Sequence, residues 1–94
     1  MATYDDEHGQ WVLRDGDLAY WLDGEKNPVR CRIELITDER VYLKATTDDA
    51  PMRRGQIWWE SRISRRLAPR EKVVYFHKGK GHFDWRQVRL ESAA

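Results

Sequence analysis

Val29-Arg30-Cys31-Arg32-Ile33-Glu34-Leu35-Ile36 is the stretch whose reading decides the fold. Val29, Cys31, Ile33 and Leu35 alternate with Arg30, Arg32 and Glu34. Successive side chains of a strand point to opposite faces, so this period of two predicts a half-buried strand with one wet face. The pattern repeats at once: Val41, Leu43 and Ala45 alternate with Tyr42, Lys44 and Thr46. Thr37-Asp38-Glu39-Arg40 between them is polar and turn-forming. Pairing Leu35 with Val41 and Ile33 with Leu43 keeps both apolar sets on one face, which predicts a connection of three or five residues.

Outward from this hairpin the period stays near two. Leu18, Tyr20 and Leu22 share one side of a predicted strand, entered through Asp15-Gly16-Asp17 and followed by a loop over 23–28. Gln10 to Arg14 is a further short strand. Gln56 to Ser61 is an aromatic strand, and Arg62 to Leu67 fits a single helical turn or an edge strand equally well. Lys72 to His77 and Phe83 to Leu90 pair as a C-terminal hairpin around Lys78-Gly79-Lys80-Gly81. Its second arm changes parity between Trp85 and Val88, which a bulge near Arg86 or Gln87 would repair. Short strands separated by turn signals predict an all-β fold, a small barrel or a compact sandwich, and the absence of a 3.6-residue stripe argues against long helices.

The segment from Gly16 to Leu67 resembles the SH3-like small barrels of the Tudor and KOW type. Asp15-Gly16-Asp17-Leu18-Ala19-Tyr20-Trp21 is similar to their opening strand, and Val29-Arg30-Cys31-Arg32-Ile33 to the second, with Cys31 at a small-residue position. Gly55-Gln56-Ile57 and Arg65-Arg66-Leu67 fit the later strands. The resemblance implies an SH3-like barrel of about five strands over residues 16–67, extended by a hairpin over 72–90. Such barrels bind RNA, DNA, methylated side chains and proline-rich peptides alike, so it bears on fold more than on function.

Ninety-four residues make one domain, with frayed ends expected at 1–9 and 91–94. No apolar run approaches the ~18 residues of a spanning helix. The polar, acidic start is unlike a signal peptide. A lone cysteine, Cys31, forms no internal disulfide and suits a reducing, cytoplasmic setting. No arrangement of Ser, His, Asp or Cys suggests catalysis, so the chain is expected to be non-enzymatic and without cofactor. His77, His82 and Asp84 are too few to argue for a metal.

Charge supplies the functional hint. The chain carries 17 Lys and Arg against 16 Asp and Glu. The near balance conceals a split: residues 1–50 hold 12 acids and 6 bases, residues 51–94 hold 4 acids and 11 bases. The bases interleave with aromatic residues. Arginine forks match phosphate oxygens and aromatic rings stack on bases, a combination that suits nucleic acid or another polyanion. Arg53, Arg54, Arg65, Arg66, Lys78 and Lys80 are the expected phosphate contacts, with Trp58 stacking beside them. A protein–protein module, an adaptor, regulator or inhibitor, is the rival expectation. Neighbouring aromatics on a strand point to opposite faces. Parity places Tyr20 and Trp59 inward, and leaves Trp21, Tyr42 and Trp58 as a surface platform for a protein partner. Weak self-association of the acidic half with the basic half is a third possibility.

Overall fold

The computed structural model describes residues 1–22, 27–62, 73–84 and 86–92. Among these, every regular element is a strand: β1 Thr3–Asp5, β2 Gln10–Arg14, β3 Leu18–Trp21, β4 Val29–Ile36, β5 Arg40–Ala45, β6 Ile57–Ser61, β7 Val73–Phe76, β8 His82–Phe83 and β9 Val88–Glu91. The expected all-β class holds. The strands form a six-stranded sheet in the order β6-β5-β4-β3-β7-β8 and a three-stranded sheet in the order β1-β2-β9. Neighbours are antiparallel except β2 and β9, which run parallel. Among the described residues the sheets do not close into a barrel.

The β4–β5 hairpin anchors the larger sheet. Val29, Cys31, Ile33, Ile36, Val41, Leu43 and Ala45 are all buried on its inner face. Leu13, Val88 and Leu90 from the smaller sheet join the same cluster, so the core lies between the two sheets. Each fully buried Leu, Ile or Val contributes about 1.5–3 kcal/mol over its exposed state. Ile33 pairs with Leu43 as expected. The expected pairing of Leu35 with Val41 is overturned: a bulge between Ile33 and Leu35 sets Leu35 opposite Tyr42 and Ile36 opposite Val41. One extra residue reverses the parity of all that follows, so Ile36 takes the inward position and Leu35 faces out. Three residues, Thr37 to Glu39, connect the strands. The Thr37 amide donates to the Arg40 carbonyl at 2.8 Å and the Arg40 amide to Thr37 Oγ1 at 2.9 Å.

Two strand faces are the reverse of the sequence expectation. On β3, Ala19 and Trp21 face in, while Leu18 and Tyr20 face out. Directly paired residues share a face. Ala19 pairs with Cys31 and Trp21 with Val29, so the inward set of β4 dictates that of β3. On β6, Leu43 pairs with Trp58 and Tyr42 with Trp59, which turns Trp58 inward and Trp59 outward.

The expected C-terminal hairpin is only half present. β7 and β8 form a short hairpin. The chain then turns, the Gln87 amide donating to the Asp84 carbonyl at 2.8 Å, and β9 pairs with β2 in the other sheet. A change of sheet, rather than a bulge near Arg86 or Gln87, accounts for the parity slip. The segment 1–9, expected to fray, carries β1, paired to β2 from Thr3 to Asp5. Most of Arg62 to Leu67, left open between turn and strand, lies outside the described residues.

The corner from β2 to β3 shows why Gly16 sits there. The Asp17 amide donates to the Arg14 carbonyl at 3.1 Å, closing a four-residue turn with Gly16 at φ 90°. A third turn residue at positive φ favours glycine. Buried Asp17 accepts from the Arg14 amide at 2.8 Å and from the Met1 ammonium, so its carboxylate is satisfied inside the corner.

Candidate functional site

Among the described residues, the expected phosphate contacts fall in two places. Arg53 and Arg54 are exposed in the β5–β6 connection. The Arg53 amide donates to Gln56 Oε1 at 3.2 Å and the Arg54 amide to Asp48 Oδ1 at 2.9 Å. Lys78 and Lys80 are exposed at the tip of the β7–β8 hairpin, where Gly79 and Gly81 take φ of 71° and 73°. Arg65 and Arg66 lie outside the described residues.

These basic spots do not converge. β3 runs toward the end of the sheet where Trp21 pairs with Val29. β5 runs to that same end, because Ala45 pairs with Cys31. β7 starts there, at Val73 opposite Trp21, and runs away from it. The loop with Arg53 and Arg54 and the tip with Lys78 and Lys80 therefore sit at opposite ends of the strands.

The expected aromatic platform is also corrected. Trp21 is only 5% exposed. Its ring meets Trp58 edge to face at 5.4 Å, and its Nε1 donates to Glu60 Oε1 at 2.8 Å. Trp58 packs half-buried against the core, and its buried Nε1 finds no hydrogen-bond partner among the described residues. Both are structural aromatics. Of the three, Tyr42 alone lies on the open face of the sheet, half-buried between Leu35 and Trp59.

That open face collects residues the sequence did not single out. Leu18 is 57% exposed, Leu35 45%, Ile57 60% and Trp59 49%. Large apolar residues exposed together mark an interaction surface far more than scattered ones do. Strand register sets them in rows. Trp59, Tyr42 and Leu35 lie side by side across β6, β5 and β4. Ile57, Lys44, Arg32 and Leu18 form the next row across four strands. On the far side of the aromatic row, the Arg40 guanidinium stacks over the Trp59 ring at 4.0 Å. Such a cation–π contact holds both groups in place without neutralising the charge.

The cations of this face differ in their commitments. Arg30 is held by Asp49 through Nε at 3.2 Å and Nη2 at 3.3 Å. This pairing raises the Arg30 pKa and holds the Asp49 carboxyl well below the usual carboxylate range. Arg32 donates Nη1 to the Gly16 carbonyl at 3.2 Å, which orients it but leaves its charge. Among the described residues Arg32, Arg40 and Lys44 form no ion pair. Glu34, exposed at the bulge beside Leu35, places one acid among these rows.

Other reactive groups are already engaged. Asp5, Glu7 and His8 place ligand-type atoms within 4.8 Å of one another. The Asp5 carboxylate, however, contacts His8 Nδ1 at 2.8 Å and Arg89 at 3.0 Å, and its pKa is lowered to about 2, chiefly by the His8 contact. His77 stacks on Trp11 at 4.7 Å, while His82 lies beside Phe76, and Asp84 pairs with Arg86. Cys31 donates Sγ to the Ala19 carbonyl, and burial pushes its thiol pKa up to about 12, far from a reactive thiolate.

The outer face escaped the sequence reading for a definite reason. Its residues are consecutive only across strands, never along the chain. The signal available was the alternation that supplied the core, read for its wet side: Arg30, Arg32, Tyr42 and Lys44. No family model, curated protein or solved structure matches the chain.

Proposed function

We propose that the chain is a non-enzymatic binding module that contacts nucleic acid, with the outer face of the six-stranded sheet as its contact surface. The observation that carries this is the arrangement of Trp59, Tyr42 and Leu35 between Arg40 on one side and Lys44 with Arg32 on the other. Cations without acidic partners attract phosphate, and exposed rings offer π-faces to bases. Nothing in this requires a closed SH3-like barrel. Arg53, Arg54, Lys78 and Lys80, at opposite ends of the strands, serve as steering charges rather than as one site.

A protein partner is the second reading, favoured by the exposure of Ile57 and Trp59 on the outermost strand β6. Salt separates the two. With three phosphates neutralised by Arg32, Arg40 and Lys44, log affinity for a single-stranded oligonucleotide falls against log salt with a slope of about −2. Anisotropy titration of a labelled oligonucleotide at increasing salt tests it. No binding at low salt, or binding indifferent to salt, rejects the nucleic-acid reading in favour of the protein one.

A further inference from the structure

We infer that the nucleic acid bound by this face is a single strand lying across β6, β5 and β4, with its bases on the Trp59–Tyr42–Leu35 row and its phosphates along Lys44 and Arg32. This rests on the function proposed above and specifies its ligand.

The geometry distinguishes single strand from duplex. The apolar and basic rows extend from Ile57 on β6 to Leu18 on β3. Four neighbouring strands span roughly 14 Å between outer strand axes, before side chains are added. A duplex major groove is about 12 Å wide and admits a helix or a two-stranded ribbon, so this sheet cannot enter it. Against the outside of a duplex the face would meet sugar and phosphate only, leaving Leu35, Ile57 and Trp59 against charged oxygens. An unpaired strand instead turns its base faces outward, where rings and aliphatic side chains can cover them.

Row spacing fits the same ligand. Outward residues two apart on one strand are separated by ~7 Å, so Lys44 lies about that far from Tyr42 along β5. This is on the order of the distance from a base to its own phosphate. Arg40, already stacked on Trp59, supplies charge on the opposite flank. The row of three residues offers places for about two to three bases, a number typical of sheet faces that stack unpaired bases.

The test compares oligo(dT), oligo(U), a blunt duplex of equal length and heparin, a polyanion without bases, at one low salt concentration. The variants are Trp59→Ala and Trp59→Phe. The single strands are expected to bind at least ~10-fold more tightly than the duplex. Trp59→Ala is expected to weaken oligo(dT) by about 5- to 150-fold, the span of one stacked base, while leaving heparin unchanged. Trp59→Phe keeps an aromatic ring, so it restores most of the affinity and shows that the effect is stacking rather than loss of fold. Duplex binding as tight as single-strand binding, or equal loss of oligo(dT) and heparin on Trp59→Ala, overturns this inference and leaves the broader nucleic-acid reading standing. Failure of every probe to bind overturns both.

Discussion

Across β3 to β6, the two faces of the larger sheet are built from the same strands and treat apolar residues in opposite ways. The inner face of β4 and β5 hides Val29, Cys31, Ile33, Val41, Leu43 and Ala45 almost completely. The outer face leaves Leu18, Leu35, Ile57 and Trp59 about half in water and sets Arg32, Arg40 and Lys44 among them. Stability explains the inner face. It does not explain the outer one, because apolar side chains kept in water add little to folding. The contrast separates residues that hold the sheet from residues available to a ligand, and adjacent positions on one strand fall on opposite sides of it.

The sharpest break would come at Leu43. Leu43→Ala opens a cavity in the core and is expected to cost about 2–5 kcal/mol by urea denaturation. Lys44→Ala, one residue along and facing water, should stay within ~0.5 kcal/mol. Equal effects would dissolve the distinction between the faces. Next in size, Trp58→Ala should destabilise by about 2–4 kcal/mol through loss of its packing on Trp21. Trp59→Ala should cost no more than about 1 kcal/mol, mainly its contact with Arg40. Thermal melts of the two variants compare them directly, and a reversed order would restore the platform read from parity.

A smaller effect sharpens the outer face. Lys44→Gln should reduce the salt slope for an oligonucleotide by about 0.7, one phosphate on a single strand, without altering the melting temperature appreciably. The smallest concerns the other sheet. The Asp5 carboxyl has a folded pKa of about 2 against an ordinary 3.8. Its contribution to stability is therefore complete above pH ~4 and lost as pH falls toward 2. Asp5→Asn should flatten this part of the acid dependence of the urea midpoint, and an unchanged profile would remove the Asp5 contacts with His8 and with Arg89 as a source of stability.

Val29 to Ile33 and Val41 to Ala45 were legible because each has one apolar parity and one polar parity. β3 and β6 were not. Leu18 and Tyr20 compete there with Ala19 and Trp21, and Ile57 and Trp59 with Trp58. With apolar residues on both parities, alternation cannot choose a face, and pairing with β4 and β5 decides it. The bulge after Ile33 was invisible for a similar reason: Leu35 and Ile36 are equally apolar, so either could face in. Basic residues were easy to find and hard to place, since antiparallel runs carry chain neighbours to opposite ends of a sheet. The all-β class was readable from turn spacing, but the partner of β9 was not, because a period states that a strand exists and not what lies beside it.

The parallel pairing of β2 with β9 sets an order of assembly. β3 to β6 pair with neighbours in sequence and close short loops, which form early and quickly. The smaller sheet must wait, because Trp11 meets Val88 and Leu13 meets Leu90 across most of the chain. β1 and β2 precede β3 to β8 along the chain and gain the third strand of their sheet only once β9 is in place. Until then Leu13 has no Val88 and Leu90 to complete its cover. The β3–β6 pairings are thus expected to form before the β2–β9 pairing, whose partners lie far apart in sequence.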